Sequence, residues 1–392
     1  MKKICVLTAT RAEYGLLKPI ITYFDSHKDV ELRVVVTGAH LSPEFGLTFE
    51  EIINDGIKID KKIEILVSAD TPSAISKSMG LAMIGFADYF NDSLPNLLVV
   101  LGDRYETLAV TTVAMNQRIP IAHLYGGEAT EGLIDESIRH AITKMSYLHF
   151  TSTEEYRRRV IQLGESPSRT FNVGSIGVEN IKRNSFLNKY ELSESIRLSL
   201  DRPYAVVTFH PVTLEDQSSE SQIFELLKAI SQHDEMNFIF TKANSDAHGR
   251  IINSRIDEFV KDKENCVAVT SLGLTRYLTA VKHSSMVIGN SSSGIIEVPS
   301  FKVPTINIGD RQKGRIQADS IINCIPDYKM IMDAFKKAND PEFRIKLLHV
   351  ENPYEKKNTS DNIGKKIIDF LLNDKIDIKK KFYDIYSMGE FE

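Results

Sequence analysis

The run Met286-Val-Ile-Gly289-Asn-Ser-Ser-Ser-Gly294-Ile-Ile-Glu297 decides how the rest of the chain is read. An apolar strand turns through small hydroxyl residues into a helix start, an arrangement built to hold an anion. The N–H groups of a helix start and its positive dipole end favour phosphate, and serines add hydroxyl donors. Ser291, Ser292 and Ser293 are therefore candidate phosphate contacts, although Gly/Ser turns also cap ordinary helices. Two familiar alternatives fail on spacing. A nucleophile elbow beginning at Gly289 needs glycine where Ser293 stands, and a Walker loop needs lysine where Ile295 follows Gly294. Downstream, a second strand over 303–308 delivers Gly309-Asp-Arg311-Gln-Lys-Gly-Arg315, whose cations suit a diphosphate.

Working outward, short β-branched runs alternate with amphipathic stretches throughout. Ile4-Cys-Val-Leu7, Leu32-Arg-Val-Val-Val36, Leu97-Leu-Val-Val-Leu101, Ile119-Pro-Ile-Ala122 and Leu148-His-Phe150 read as strands, with helical periodicity over 73–90 and 106–116 between them. Continuous apolar strands are buried on both faces, which implies a parallel sheet with helices on each side. The pattern restarts at Tyr204-Ala-Val-Val-Thr-Phe209 and continues through 237–240, 266–269 and 286–288. The expectation is an α/β chain of two doubly wound, Rossmann-like domains, 1–178 and 179–358, followed by a helix and tail over 359–392.

A chain of 392 residues is too long for one ordinary core, which suits two domains. Its net charge of −5 argues against a general nucleic-acid binder. The opening apolar run stops at Leu7 and reads as a buried strand, not a signal peptide, and no run approaches membrane-spanning length. Three cysteines without paired spacing leave a disulfide framework unsupported and make the cytoplasm the expected compartment. No histidine spacing suggests a metal, and no G-x-G-x-x-G follows a strand, which disfavours a nicotinamide or flavin enzyme.

In open parallel sheets ligands bind outside the carboxyl ends of the strands. The residues found there are Arg11, His40, Asp103, Arg104, Glu128, His210, Asn244, the serine turn and Arg311. Asp103 reads either as a helix cap or as a reacting carboxylate; Asp135 reads, with Glu136, as a helix-start acid, or by itself as a member of the same cluster. Three acids and a histidine at one sheet edge are what proton chemistry on an uncharged sugar requires. His210 reads as a diphosphate partner or as an isolated strand-end histidine. His123 and His149 lie in strands and read as core or supporting residues.

Arg11-Ala-Glu-Tyr-Gly15, Thr37-Gly-Ala-His40, Leu101-Gly-Asp-Arg104, Gly126-Gly-Glu128, Ile134-Asp-Glu-Ser-Ile-Arg-His140, Phe209-His-Pro211 and Gly289 through Arg311 together resemble the hydrolysing UDP-N-acetylglucosamine 2-epimerases. The likeness includes bacterial members that supply N-acetylmannosamine for sialic acid, down to an ending like Phe382-Tyr-Asp-Ile385. It implies the GT-B fold, two Rossmann-like domains around a cleft, with a helix over 361–372 returning to the first domain. It further implies that His210, Asn244, Ser291, Ser292, Glu297 and Arg311 hold uridine diphosphate, with Arg11 reaching from the first domain. Asp103 and Asp135 match catalytic carboxylates. Some members carry Glu at the position of Tyr125; here Tyr125 stands as a weak acid or a sugar-facing wall, and Glu128 as the substitute acid. No cofactor is implied.

The resemblance implies UDP-N-acetylglucosamine as substrate, or UDP-N,N′-diacetylbacillosamine, which feeds legionaminic acid. A non-hydrolysing epimerase, a GT-B glycosyltransferase and a nucleotide-sugar sensor are the remaining readings. A homodimer or homotetramer is expected on resemblance.

Overall fold

The computed structural model describes residues 1–67, 69, 71–131, 133–212, 219–243, 249–373 and 376–385. Contacts divide the chain into two units. The first comprises Met1–Glu128, Asp135–Glu179 and Lys356–Glu392; the second comprises Ala129–Ile134 and Asn180–Glu355. The short segment 129–134, which the sequence reading leaves inside the first domain, thus groups with the second.

The first unit holds β1 (Lys2–Thr8), β2 (Val30–Thr37), β3 (Ile59–Ile63), β4 (Leu97–Leu101), β5 (Ile121–Leu124), β6 (Leu148–Thr151) and β7 (Thr170–Asn172). They form one parallel sheet in the order β3-β2-β1-β4-β5-β6-β7. Alternate residues serve opposite faces. Ile4, Val6, Val34, Val36, Leu97 and Val99 pack against Leu17, Ile20 and Phe24 of the helix Arg11–Asp25 and Ile363, Ile367 and Phe370 of the helix Thr359–Asn373. Cys5, Leu7, Val35, Leu98 and Val100 pack against Ala82, Phe86 and Phe90 of the helix Pro72–Asp92 and Val110 and Val113 of the helix Tyr105–Asn116. Both faces are buried, which is why these strands read as unbroken apolar runs.

The second unit repeats the plan with β8 (Tyr204–Thr208), β9 (Asn237–Thr241), β10 (Cys266–Val269), β11 (Met286–Gly289), β12 (Thr305–Ile308) and β13 (Ile321–Cys324), ordered β10-β9-β8-β11-β12-β13 and parallel throughout. In each sheet the strand order reverses once, between β1 and β4 and between β8 and β11. Chains leaving such a point diverge and open a crevice at the carboxyl ends. Among the described residues, no helix is long and apolar enough to cross a membrane.

Gly289, the last residue of β11, has φ +132, and a Cβ there would lie 1.9 Å from the Thr208 carbonyl oxygen. Only glycine lets β11 and β8 approach so closely before the serine turn. Gly289→Ala is expected to cost on the order of 3 kcal/mol of stability, read as an earlier urea unfolding midpoint.

Candidate active site

In the first unit β4 ends in Gly102, whose φ of +75 turns the chain sharply before Asp103. Asp103 Oδ2 accepts from Arg139 Nε at 2.8 Å and also from Nη2 of the same guanidinium. Arg139 lies on the helix Asp135–Met145 and is 1% exposed. Its Nη1 donates to Glu136 Oε2 at 2.6 Å and to the Glu128 carbonyl oxygen at 2.8 Å. A single buried cation therefore gathers the β4 turn, the β5 turn and the start of the next helix. Burying that cation unpaired would cost several kcal/mol, so its partners are fixed by necessity.

Glu128 is itself buried, and its Oε1 accepts the Ser152 hydroxyl at 2.9 Å. The turn leading to it needs Gly127, at φ +80, where a Cβ would meet the Tyr156 carbonyl oxygen at 2.4 Å. Asp135 opens its helix half-buried, at the end where the helix dipole favours negative charge. Tyr125 adopts φ +68, an uncommon and costly value for an aromatic residue. Its hydroxyl oxygen accepts from the N–H of Ile176 at 2.9 Å and of Gly177 at 3.3 Å, and it lies 3.1 Å from Ser175 Oγ. This hydroxyl caps the helix Ile176–Arg183, an engagement that neither the weak-acid nor the sugar-wall expectation for Tyr125 includes.

The flanking candidates are held by other groups. Arg11 pairs with Glu51 at 2.8 Å, and Arg104 with the fully buried Glu106 at 3.1 Å. His40 is 0% exposed, with Nε2 2.9 Å from Thr8 Oγ1 and Nδ1 2.8 Å from Thr48 Oγ1; burial pushes its pKa down to about 4. Both ring nitrogens thus lie beside threonine hydroxyls, and the ring braces the turn after β2.

In the second unit Asn290, 0% exposed, joins the two strands of the switch point. Its Oδ1 accepts from the His210 N–H at 2.7 Å and its Nδ2 donates to the His210 carbonyl at 2.8 Å. Its own carbonyl accepts from Arg311 Nη1 at 3.2 Å and Gln312 Nε2 at 2.8 Å. The loops after β8, β11 and β12 are thereby tied into one edge. Ser291 stands at the N-cap of a helix covering only Ser292–Ile296, and a tight turn at Val298–Phe301 follows Glu297. Ser293 Oγ lies 2.7 Å from the Tyr277 hydroxyl, while Ser291, Ser292 and Glu297 remain half-buried at the edge. Asn244 lies outside the described residues.

Arg139 and Glu136 in the first unit and Asn290 in the second hold these strand-end loops together, although the sequence reading does not select them. The spacing Glu136-Ser-Ile-Arg139 places acid and base on one helical face and was the available signal. Glu13 is a fourth. Thr10-Arg-Ala-Glu13 spells a capping box, and the Glu13 carboxylate accepts from the N–H of Ala9 at 2.7 Å. Burial pushes its pKa up to about 7, with Glu106 reinforcing and Arg104 opposing.

A carboxylate cluster on one doubly wound unit, and a serine turn with histidine and arginine on another, define a nucleotide-sugar enzyme of the GT-B fold. The chain belongs to the UDP-N-acetylglucosamine 2-epimerase family, whose model matches residues 23–368. It is 45% identical over 344 residues to the GDP/UDP-N,N′-diacetylbacillosamine 2-epimerase (hydrolyzing) of Campylobacter jejuni, covering 88% of this chain and 89% of that one. Over 389 residues it is 42% identical to the polysialic acid biosynthesis protein P7 of Escherichia coli, covering 98% of each. In fold it matches the UDP-GlcNAc 2-epimerase from Neisseria meningitidis bound to UDP-GlcNAc, with TM-score 0.79 and 17% identity over 94% of this chain and 100% of that one.

Glu13 makes stability depend on pH. Between about pH 4.5 and 7 the folded state holds a proton that the unfolded state has released, so stability falls as pH rises through that window. Glu13→Gln removes this slope. Relative to the parent, the variant is expected to gain on the order of 2 kcal/mol between pH 4 and pH 8, measured by urea unfolding at both values.

Proposed function

We propose that the protein converts UDP-N-acetylglucosamine and water to N-acetylmannosamine and UDP. The observation that carries this reading is the convergence of Asp103, Glu128 and the Asp135–Glu136 helix start on one buried guanidinium. The C2 hydrogen of the sugar has no adjacent carbonyl, so it becomes acidic only as the C1–O bond to the diphosphate breaks. The leaving group must therefore be stabilised before or during proton removal.

His210, Arg311 and the serine turn take the diphosphate charge, preorganised by Asn290. Arg11 and Arg104 supply further cationic contacts, and Glu297 accepts from ribose hydroxyls, for which a carboxylate is suited because it offers acceptors only. Asn244 belongs to the same set by resemblance. Asp103, Glu128 and Asp135 divide the proton transfers, with Glu128 serving in place of an acid at position 125. The C2 proton leaves with UDP to give a 2-acetamidoglucal; water then adds hydroxide at C1 and a proton at C2 from the opposite side. Electrons balance without an oxidant or reductant, so the route calls for no redox cofactor.

The 45% identity to a relative named for UDP-N,N′-diacetylbacillosamine favours a second reading, the same reaction on that sugar. The 42% identity to a polysialic acid protein along nearly the whole chain favours the first. Under either reading the enzyme works in the cytoplasm, making precursors of acidic surface sugars. A homodimer or homotetramer is consistent with Leu81 and Ile84, exposed on the helix Pro72–Asp92.

Proton NMR in deuterated water with UDP-N-acetylglucosamine tests the proposal. Equimolar UDP and N-acetylmannosamine deuterated at C2 are expected. Turnover of the diacetylbacillosamine nucleotide alone supports the second reading, and UDP release only with an added acceptor supports a transferase. Asp103→Asn is expected to lower kcat by about 100-fold or more while leaving UDP affinity near the parent value by calorimetry. Parallel loss of both would make Asp103 a purely structural residue.

A further inference from the structure

Two loops that carry reacting acids meet at one buried ring. His123 sits in β5, in register with Val100 of β4 and His149 of β6, and is 0% exposed. Its Nε2 lies 2.8 Å from the Gly102 carbonyl oxygen, and its Nδ1 lies 3.2 Å from Thr143 Oγ1. A carbonyl can only accept, so Nε2 carries the hydrogen, and Nδ1 then accepts from the threonine hydroxyl. The hydrogen-bond network assigns the tautomer.

We propose that His123 is a positioning residue for this reaction: its ring fixes the peptide plane that carries Asp103 and seats the Gly126-Gly127 turn that carries Glu128. The inference rests on the epimerase reading for its catalytic consequence and on the geometry alone for its structural one. The Gly102 carbonyl and the Asp103 N–H belong to one planar peptide unit, so holding the oxygen orients the Asp103 backbone. Gly102, at φ +75, has wide rotational freedom and does not set that plane unaided.

On its other side the ring meets Gly126. A Cβ at Gly126 would stand 3.1 Å from His123 Nδ1 and 3.0 Å from Thr143 Oγ1, tighter than ordinary packing. Thr143 lies on the helix Asp135–Met145, two turns beyond Asp135 and Glu136, and is fully buried. One imidazole therefore spans the β4 turn, the β5 turn and the helix that carries the third acid. Arg139 grips the Asp103 carboxylate while His123 grips the backbone behind it, so the reacting group is held at both ends.

The ring serves as a fixed wedge and not as a proton carrier. Burial pushes its pKa down to about 3; Asp103 and the Gly102 carbonyl pull it up, while His149 and Arg139 push it further down. It stays uncharged across the working range, which keeps its hydrogen bonds constant with pH.

The test compares two variants of similar size. Glutamine can reproduce a donor near Nε2, whereas leucine fills the space without one. His123→Leu is expected to lower kcat by about 10- to 100-fold with KM within about 3-fold, because small misplacement of a reacting group is costly while substrate binding persists. His123→Gln is expected to recover most of that loss, and neither variant should shift the pH profile of kcat. Equal kcat in folded Leu and Gln variants, or a KM rise that accounts for the whole effect, overturns the proposal.

Amide hydrogen exchange over 102–106 and 126–130 gives a readout independent of substrate. Faster exchange in the leucine variant than in the glutamine variant supports the geometry even if neither nucleotide sugar proves to be the substrate. Unchanged exchange in both overturns it. If His123→Leu does not fold, Thr143→Val takes its place. It is expected to show the same faster exchange at lower amplitude, and parental exchange there refutes the coupling.

Discussion

A guanidinium with almost no access to water imposes the strongest demand on the first unit. Arg139 cannot shed its charge, and three acceptors surround it: the carboxylates of Asp103 and Glu136 and the carbonyl of Glu128. Each comes from a different segment, so no single loop can move without leaving part of a buried cation unsatisfied. Loops are usually the mobile part of a fold. Here electrostatic necessity makes three of them as constrained as the strands they leave. Asn290 performs the corresponding task in the second unit with a neutral amide, using a donor, an acceptor and its backbone carbonyl.

The two hubs also differ in kind. Around Arg139 the groups are charged and costly to separate, which suits a place where proton positions must be defined. Around Asn290 the bonds run from an amide to the backbone of His210 and from Arg311 to the Asn290 carbonyl, which brings one guanidinium to the same edge. A leaving diphosphate needs positive charge already in position, since reorganising dipoles during bond breaking would raise the barrier. Tyr125 contributes a third type of fastening. Its hydroxyl spends its acceptor capacity on the N–H groups of Ile176 and Gly177, so the strained backbone at that position is offset by a capped helix.

Much of this was legible in the sequence because burial on both faces of a parallel sheet writes itself as unbroken apolar strands. The central strands β1, β2, β4, β8, β9 and β11 carry that signature. The edge strand β3 escapes it: Ile59-Asp-Lys-Lys-Ile63 exposes its three charged residues, as edges do to avoid pairing with other chains. β13 is half-exposed at the opposite end of its own sheet and reads weakly for the same reason. At the site, residue types at strand ends were legible and their partners were not. Asp103 and Arg139 are 36 positions apart, and Tyr125 and Ile176 are 51 apart. No local pattern encodes such pairings. His40 is a further case: the two threonines beside its ring, Thr8 and Thr48, are not evident from its place just past a strand end.

The helix Thr359–Asn373 packs on the same sheet face as the helix Arg11–Asp25, with Gly364 letting Tyr23 lie directly against its backbone. During synthesis this has an ordering effect. Residues 180–355 of the second unit are nearly contiguous and can complete their sheet while the ribosome is still at work. The unit that begins first must finish last: until the stretch from Lys356 emerges, the sheet face of Ile4, Val6 and Val34 has the helix Arg11–Asp25 but lacks the cover of Ile363, Ile367 and Phe370. The carboxylate cluster of the first unit therefore matures only after the serine turn of the second. A nascent chain passes through a period in which the loops gathered by Asn290 can be in place while those gathered by Arg139 are not.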